Sequence, residues 1–200
     1  PLGQLKDFPK QYFYRVLIYQ PKKKTMLKIH FFLTALFVSL AASVFAQETG
    51  SFQNSISIDE PGYNVTRSVY YFVPNDYNPN NSYKLIVGFR GGPHVNAGQF
   101  RDQLTPLSDS LDAIIICPEN IGDFNNNEGN VKFLFNHAVS AALDVYSIDT
   151  NFIYITGLSF GGRHTIIVGM DSDSGPISDN IRGIIPFAPG TNSELVADYE

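Results

Sequence analysis

Apolar residues between positions 66 and 187 gather into short continuous runs rather than alternating ones. Residues 66–74 (TRSVYYFVP) are β-rich and close on a proline. The Pro/Asn stretch 77–82 reads as a loop, and 84–89 (KLIVGF) reads as a buried strand ending in the turn Arg90-Gly91-Gly92-Pro93. A weak helix is expected over 100–111. A second buried strand follows at 112–117 (DAIIIC), stopped by Pro118, and then an Asn125-Asn126-Asn127 loop. Helical spacing returns over 131–146, with Phe135, Val139, Ala142, Leu143 and Tyr146 on one side. A third buried strand is expected at 152–156 (FIYIT), a helix at 161–170 and a fourth strand at 181–187 (IRGIIPF). Continuous apolar strands separated by helices predict an α/β architecture, a mostly parallel sheet with helices on both faces.

One strand-to-helix turn in this pattern carries chemistry. Gly157-Leu158-Ser159-Phe160-Gly161 is a G-x-S-x-G sequence, with Gly162 after it. It lies directly between a predicted strand and a predicted helix, the context that gives the motif meaning. There Ser159 would occupy a sharp elbow and project its hydroxyl from the C-terminal edge of the sheet. Gly157 and Gly161 would let strand and helix approach without Cβ clashes. The helix N-terminus would offer backbone N–H groups to a developing anion. An acyl-transfer site needs two such donors. The amide of Phe160 is one candidate. The amide of Gly92, at the end of the 84–89 strand, is the other. The plainer alternative for Ser159 is a helix N-cap in a glycine-rich turn.

The chain begins at Pro1, and Met26 opens a different pattern. Met26-Leu27-Lys28-Ile29-His30 is a basic start, 31–40 is apolar, and Val44 and Ala46 are small residues at positions −3 and −1 before Gln47. That layout predicts a secretory signal peptide over 26–46, and therefore a secreted or periplasmic protein with no stable membrane anchor after cleavage. The apolar run is short for a membrane span of roughly 20 residues. Residues 1–25, with Lys22-Lys23-Lys24, read as an upstream or added segment, leaving 47–200 as the folded body.

Charge narrows the partners. Residues 47–200 hold seven Lys/Arg against eighteen Asp/Glu, a formal balance of −11. Such a body repels a phosphate backbone, so nucleic acid is not an expected partner. The single cysteine, Cys117, excludes an intrachain disulfide and reads as a small buried hydrophobe. Asp171-Ser172-Asp173-Ser174-Gly175 hints at a calcium loop. Pro176 and Arg182 stand where an EF-hand needs Gly and Glu, so no metal is expected. No phosphate-binding or dinucleotide motif is present, and no cofactor is expected.

From about 66 to 189 the sequence resembles the α/β-hydrolase esterases related to polyhydroxybutyrate depolymerases and feruloyl or acetyl-xylan esterases. SVYYFVPNDYNPNNSYKLIVGFRGG, DAIIICPEN, YSIDTNFIYITGLSFGG and IRGIIPFAPG carry the resemblance. Asp149-Thr150-Asn151 ahead of Ile153-Tyr154-Ile155-Thr156-Gly157-Leu158-Ser159 is its most telling phrase. The resemblance implies a secreted serine esterase with a serine–acid–histidine triad, acting through an acyl-enzyme on a small-molecule or polymeric ester, plant-wall esters included. Two departures stand out. Relatives carry His-Gly where this chain has Arg90-Gly91. In the family order the acid and then the histidine follow the serine, yet the histidines here are His30, His94, His137 and His164. The triad acid and histidine are therefore expected outside this chain, and the domain is expected to be C-terminally incomplete. Residues 47–200 alone are expected to show no ordinary esterase turnover.

Local substitutes are weaker candidates. His164 follows Ser159 on the same helix and should point away from its hydroxyl. His94 sits beside the Gly91-Gly92 turn and could line a pocket, and His137 lies mid-helix on the sheet's flank. Glu194 and Asp198 follow the last strand, where some hydrolases place the acid, though solvated loop acids are the better reading. Two alternatives to the esterase stay open: a serine peptidase of the same fold, and a non-catalytic hydrolase-like binding domain. The leader is testable on its own. N-terminal sequencing of exported protein should begin at Gln47, and a mature chain still holding 31–40 would mean an anchor instead.

Overall fold

The computed structural model describes residues 47–92, 94–121, 128–170 and 177–190. The expected signal segment 26–46, His30, the 171–176 loop, Glu194 and Asp198 lie outside the described residues. Six strands form one sheet in the order β1-β2-β4-β3-β5-β6. They are β1 (Gly50–Glu60), β2 (Tyr63–Val73), β3 (Tyr83–Phe89), β4 (Ala113–Pro118), β5 (Ile148–Leu158) and β6 (Ile181–Phe187). The helices are α1 (Ala97–Leu104), α2 (Pro106–Leu111), α3 (Val131–Leu143) and α4 (Phe160–Met170).

Strands β4, β3, β5 and β6 run parallel, and β1 and β2 form an antiparallel hairpin on one side of them. The hairpin turns at Pro61-Gly62, where Gly62 has φ +80°, a conformation that favours glycine. Four of these strands, two of the helices and the parallel core match the sequence reading to within a few residues. Strand β1 was not anticipated, and β2 begins at Tyr63 rather than 66. The expected single helix over 100–111 is two helices, because Pro106 takes the first position of α2. Helix α1 starts at Ala97, behind a reciprocal cap. Asn96 Oδ1 accepts from the Gln99 N–H at 2.8 Å, and Gln99 Oε1 accepts from the Asn96 N–H at 3.0 Å.

Both faces of β3 and β4 are covered, as continuous apolar runs require. Leu85, Val87, Phe89, Ile114 and Ile116 pack with Leu134, Phe135, Ala138 and Val139 of α3 and with Ile167 and Val168 of α4. Their neighbours Ile86, Ala113, Ile115 and Cys117 pack with Ala97 and Phe100 of α1 on the other face. This is the period-two alternation of strand side chains, with every second residue serving a different helix layer. Burial pushes the Cys117 thiol pKa up, as befits a core residue and not a nucleophile.

Burial weakens toward β6, the sheet's edge among the described residues. Ile185 and Phe187 there are 52% and 55% exposed. Phe135 is fully buried between α3 and the sheet, so Phe135→Ala should cost about 3–5 kcal/mol in chemical denaturation. Ile185→Ala should cost about 1 kcal/mol or less. Equal losses at the two positions would contradict this placement of the core.

Candidate active site

Strand β5 ends at Leu158 and helix α4 begins at Phe160, so Ser159 alone makes the turn. It does so with φ +53°, in the left-handed region that costs a residue with a Cβ about 1–2 kcal/mol. Its neighbours over-determine the conformation. The Ser159 N–H donates to the Phe187 carbonyl of β6 at 2.9 Å. Its own carbonyl accepts from the Arg163 N–H at 3.0 Å, the first bond of α4, and from the Gly190 N–H at 3.2 Å. The side chain of Ser159 remains exposed.

The glycines around it are close-approach positions. A Cβ on Gly157 would stand 2.2 Å from the Gly161 carbonyl oxygen. A Cβ on Gly161 would stand 2.0 Å from the Phe89 carbonyl oxygen and 2.5 Å from that of Arg90. The start of α4 is therefore laid directly on the end of β3, next to the Gly91-Gly92 turn. Gly162, to which the sequence assigned no role, is a third such position, since its Cβ would meet the Phe187 oxygen at 2.9 Å. Gly91 packs against Leu158, with a Cβ there 3.0 Å from the Leu158 oxygen, while nothing lies within 4 Å of a Cβ on Gly92. The structure thus brings together Ser159, Phe160, Gly161 and the Gly91-Gly92 turn, with open space beside Gly92. The Phe160 N–H, in the first turn of α4, lies among the amides that no intrahelical carbonyl can serve.

The histidines are not brought to the serine. His94 is exposed in its turn. His137 bonds Glu60 at 3.0 Å, linking α3 to β1. His164 is fully buried, edge-on to the rings of Phe160 and Phe89. Among the described residues, no imidazole and no carboxylate hydrogen-bonds the Ser159 hydroxyl. No described group of three or more His, Cys, Asp or Glu side chains is placed to hold a metal ion. A cleft of about 580 Å³ lined by Asp76, Tyr83, Asp109 and Asp112 opens at the opposite edge, where β3 and β4 begin. Ligands of open α/β sheets bind at the carboxyl ends of the strands, the edge that carries Ser159.

A polar network behind the site was not legible in the sequence. Asn120, buried just after β4, accepts the Arg90 N–H and donates to the Arg90 carbonyl, both at 3.0 Å. Its amide nitrogen also lies 3.0 Å from His164 Nδ1. The two backbone bonds fix which way the Asn120 amide faces, so Nδ1 must be the unprotonated acceptor. Arg90 in turn bonds Glu119 through Nε, and Glu119 accepts the Ile121 N–H at 3.3 Å. The end of β3, the end of β4 and helix α4 are thereby tied behind the elbow.

No family model matches the chain. Over 104 residues it is 34% identical to feruloyl esterase D of Neurospora crassa, a match covering 45% of this chain and 36% of that protein. The solved structure of LpqC, a poly(3-hydroxybutyrate) depolymerase from Bordetella parapertussis, aligns with a TM-score of 0.54 at 15% identity. That alignment covers 70% of this chain and 52% of LpqC. Esterase 2 of Thermogutta terrifontis, solved phosphorylated by paraoxon, aligns with a TM-score of 0.55 at 21% identity, over 74% of this chain and 64% of that one. The chain therefore spans about a third of the curated relative it matches. It has the α/β-hydrolase fold. Within that fold it resembles the esterases of the feruloyl esterase and polyhydroxybutyrate depolymerase group.

Burial, reinforced by the charge of Arg163, lowers the His164 pKa to about 3 from its ordinary 6.5. The unfolded chain takes up this proton near pH 6.5 and the folded chain does not. His164 therefore leaves stability intact above pH 6.5 and erodes it as the pH falls from there toward 3. Denaturation between pH 7.5 and 4.5 should show wild type losing up to ~1.4 kcal/mol per pH unit below 6.5 beyond any loss in His164→Gln. Identical pH slopes in the two proteins would contradict a neutral buried imidazole.

Proposed function

We propose that the complete protein is a secreted or periplasmic serine carboxylic-ester hydrolase acting on an ester of a polymer or plant-wall type. The observation that carries this reading is Ser159: exposed, left-handed, between a parallel strand and a helix, with the Gly91-Gly92 turn packed against the same junction. The similarity to feruloyl esterase D supports the ester class, and the likeness to LpqC is compatible with it. Secretion rests on the leader pattern of 26–46.

In this mechanism Ser159 Oγ attacks the ester carbonyl carbon and gives its proton to a histidine base. The carbonyl electron pair moves onto oxygen, where the amides of Phe160 and Gly92 receive the negative charge. Collapse expels the alcohol, which takes the proton from the histidine, and leaves an acyl group on Ser159. Water, deprotonated by the same base, then releases the carboxylic acid. The acid and histidine come from outside the described residues.

Full-length protein should hydrolyse p-nitrophenyl butyrate and methyl ferulate and should be labelled by a fluorophosphonate. Ser159→Ala should abolish labelling and lower kcat by about 10⁴- to 10⁶-fold. Undiminished labelling or turnover in Ser159→Ala would rule out the elbow serine as the nucleophile.

A further inference from the structure

Arg90 directly follows β3, and its side chain does something specific. It is 9% exposed, and its guanidinium folds back on the turn that follows it. Nη1 donates to the Gly92 carbonyl at 2.9 Å and to the Gly91 carbonyl at 3.3 Å. Nε is held by Glu119, and the Arg90 backbone is gripped at both N–H and C=O by Asn120. The guanidinium is thus a fixed fork whose donors are already aimed.

The consequence follows from peptide geometry. The Gly91–Gly92 bond is trans, so the Gly91 C=O and the Gly92 N–H point in opposite directions. With the Gly91 carbonyl drawn to Arg90, the Gly92 N–H must face away from the guanidinium. Gly91 is packed on Leu158, next to Ser159, and the space around Gly92 is open. Gly91 and Gly92 would otherwise be the least constrained backbone in the site, since neither has a Cβ to restrict it. A guanidinium on the carbonyl side also polarises the peptide and strengthens its N–H as a donor.

We propose that Arg90 is a positioning residue for the oxyanion hole, holding the Gly91-Gly92 turn so that the Gly92 amide faces the carbonyl oxygen of a bound ester. This rests on Ser159 being the nucleophile. Arg90 touches no substrate atom and acts through the turn. Its contribution therefore appears only when charge develops on the carbonyl oxygen, in kcat and not in KM.

The experiment compares wild type, Ser159→Ala, Arg90→Lys and the double variant Arg90→Met/Glu119→Gln in the full-length protein with p-nitrophenyl butyrate. Lysine keeps the charge beside Glu119 but has a single nitrogen, which cannot reproduce the fork. The double variant removes both charges together, so no half-buried carboxylate is left without its partner. Inhibition by a trifluoromethyl ketone, whose hemiketal oxyanion mimics the intermediate, is measured alongside. Both Arg90 variants should lose kcat by about 10- to 100-fold, with KM within about threefold of wild type. The inhibitor's affinity should fall in parallel with kcat, at an unchanged near-ultraviolet circular dichroism spectrum. Wild-type kcat in either Arg90 variant would overturn the assignment, as would a loss confined to KM or a loss of kcat with unchanged inhibitor affinity. Turnover that survives in Ser159→Ala is a different failure, since it removes the nucleophile reading itself.

Discussion

A serine with a Cβ, held at φ +53° between the end of a parallel strand and the start of a helix, is the constraint on which the site depends. The conformation is unfavourable in isolation by about 1–2 kcal/mol. It persists because backbone on three sides leaves no room for another. The Phe187 carbonyl takes the Ser159 N–H, Gly157 lies where only a hydrogen fits against the Gly161 carbonyl, and Gly161 lies on the carbonyls of Phe89 and Arg90. The strain is local and its support is distributed over β3, β5, β6 and α4. A nucleophile on such a turn is presented to solvent without being free to move.

The same close approach explains why the two amides proposed as oxyanion donors come from distant stretches of chain. Parallel strands β3 and β5 are neighbours, with Phe89 opposite Gly157. Whatever follows Phe89 must therefore emerge beside whatever follows Gly157. The Gly91-Gly92 turn and the first amide of α4 meet because of strand register, not because either sequence encodes the other. Arg90, Glu119, Asn120 and His164 then fill the space behind with linked polar groups. Asn120 alone makes three of its hydrogen bonds, two to the Arg90 backbone and one to His164.

The parallel core and the elbow were readable from the sequence because both are local signals. Runs such as AIIIC admit only a strand buried on both faces, and G-x-S-x-G concentrates its steric demands in five residues. Strand β1 escaped because GSFQNSISIDE is mostly polar; only Phe52, Ile56 and Ile58 turn inward, and no continuous apolar run marks it. The first residues of β5, Ile148 to Asn151, were missed for the same reason. The helix break at Pro106 needed proline to be read as a start signal, and the Asn96–Gln99 cap needed a three-residue offset to be noticed. The polar network was beyond reach, since the residues it bonds pairwise lie 29 to 44 positions apart and meet only through the sheet.

The most direct measurement is a crystal structure of the full-length protein after reaction with a phosphonate ester, whose tetrahedral adduct mimics the acyl-transfer intermediate. Phosphorus should be bonded to Ser159 Oγ, with one phosphonyl oxygen within about 3 Å of both the Phe160 and the Gly92 amide nitrogens. An adduct on another side chain, or a phosphonyl oxygen turned to solvent away from both amides, would contradict the site built on the Ser159 turn.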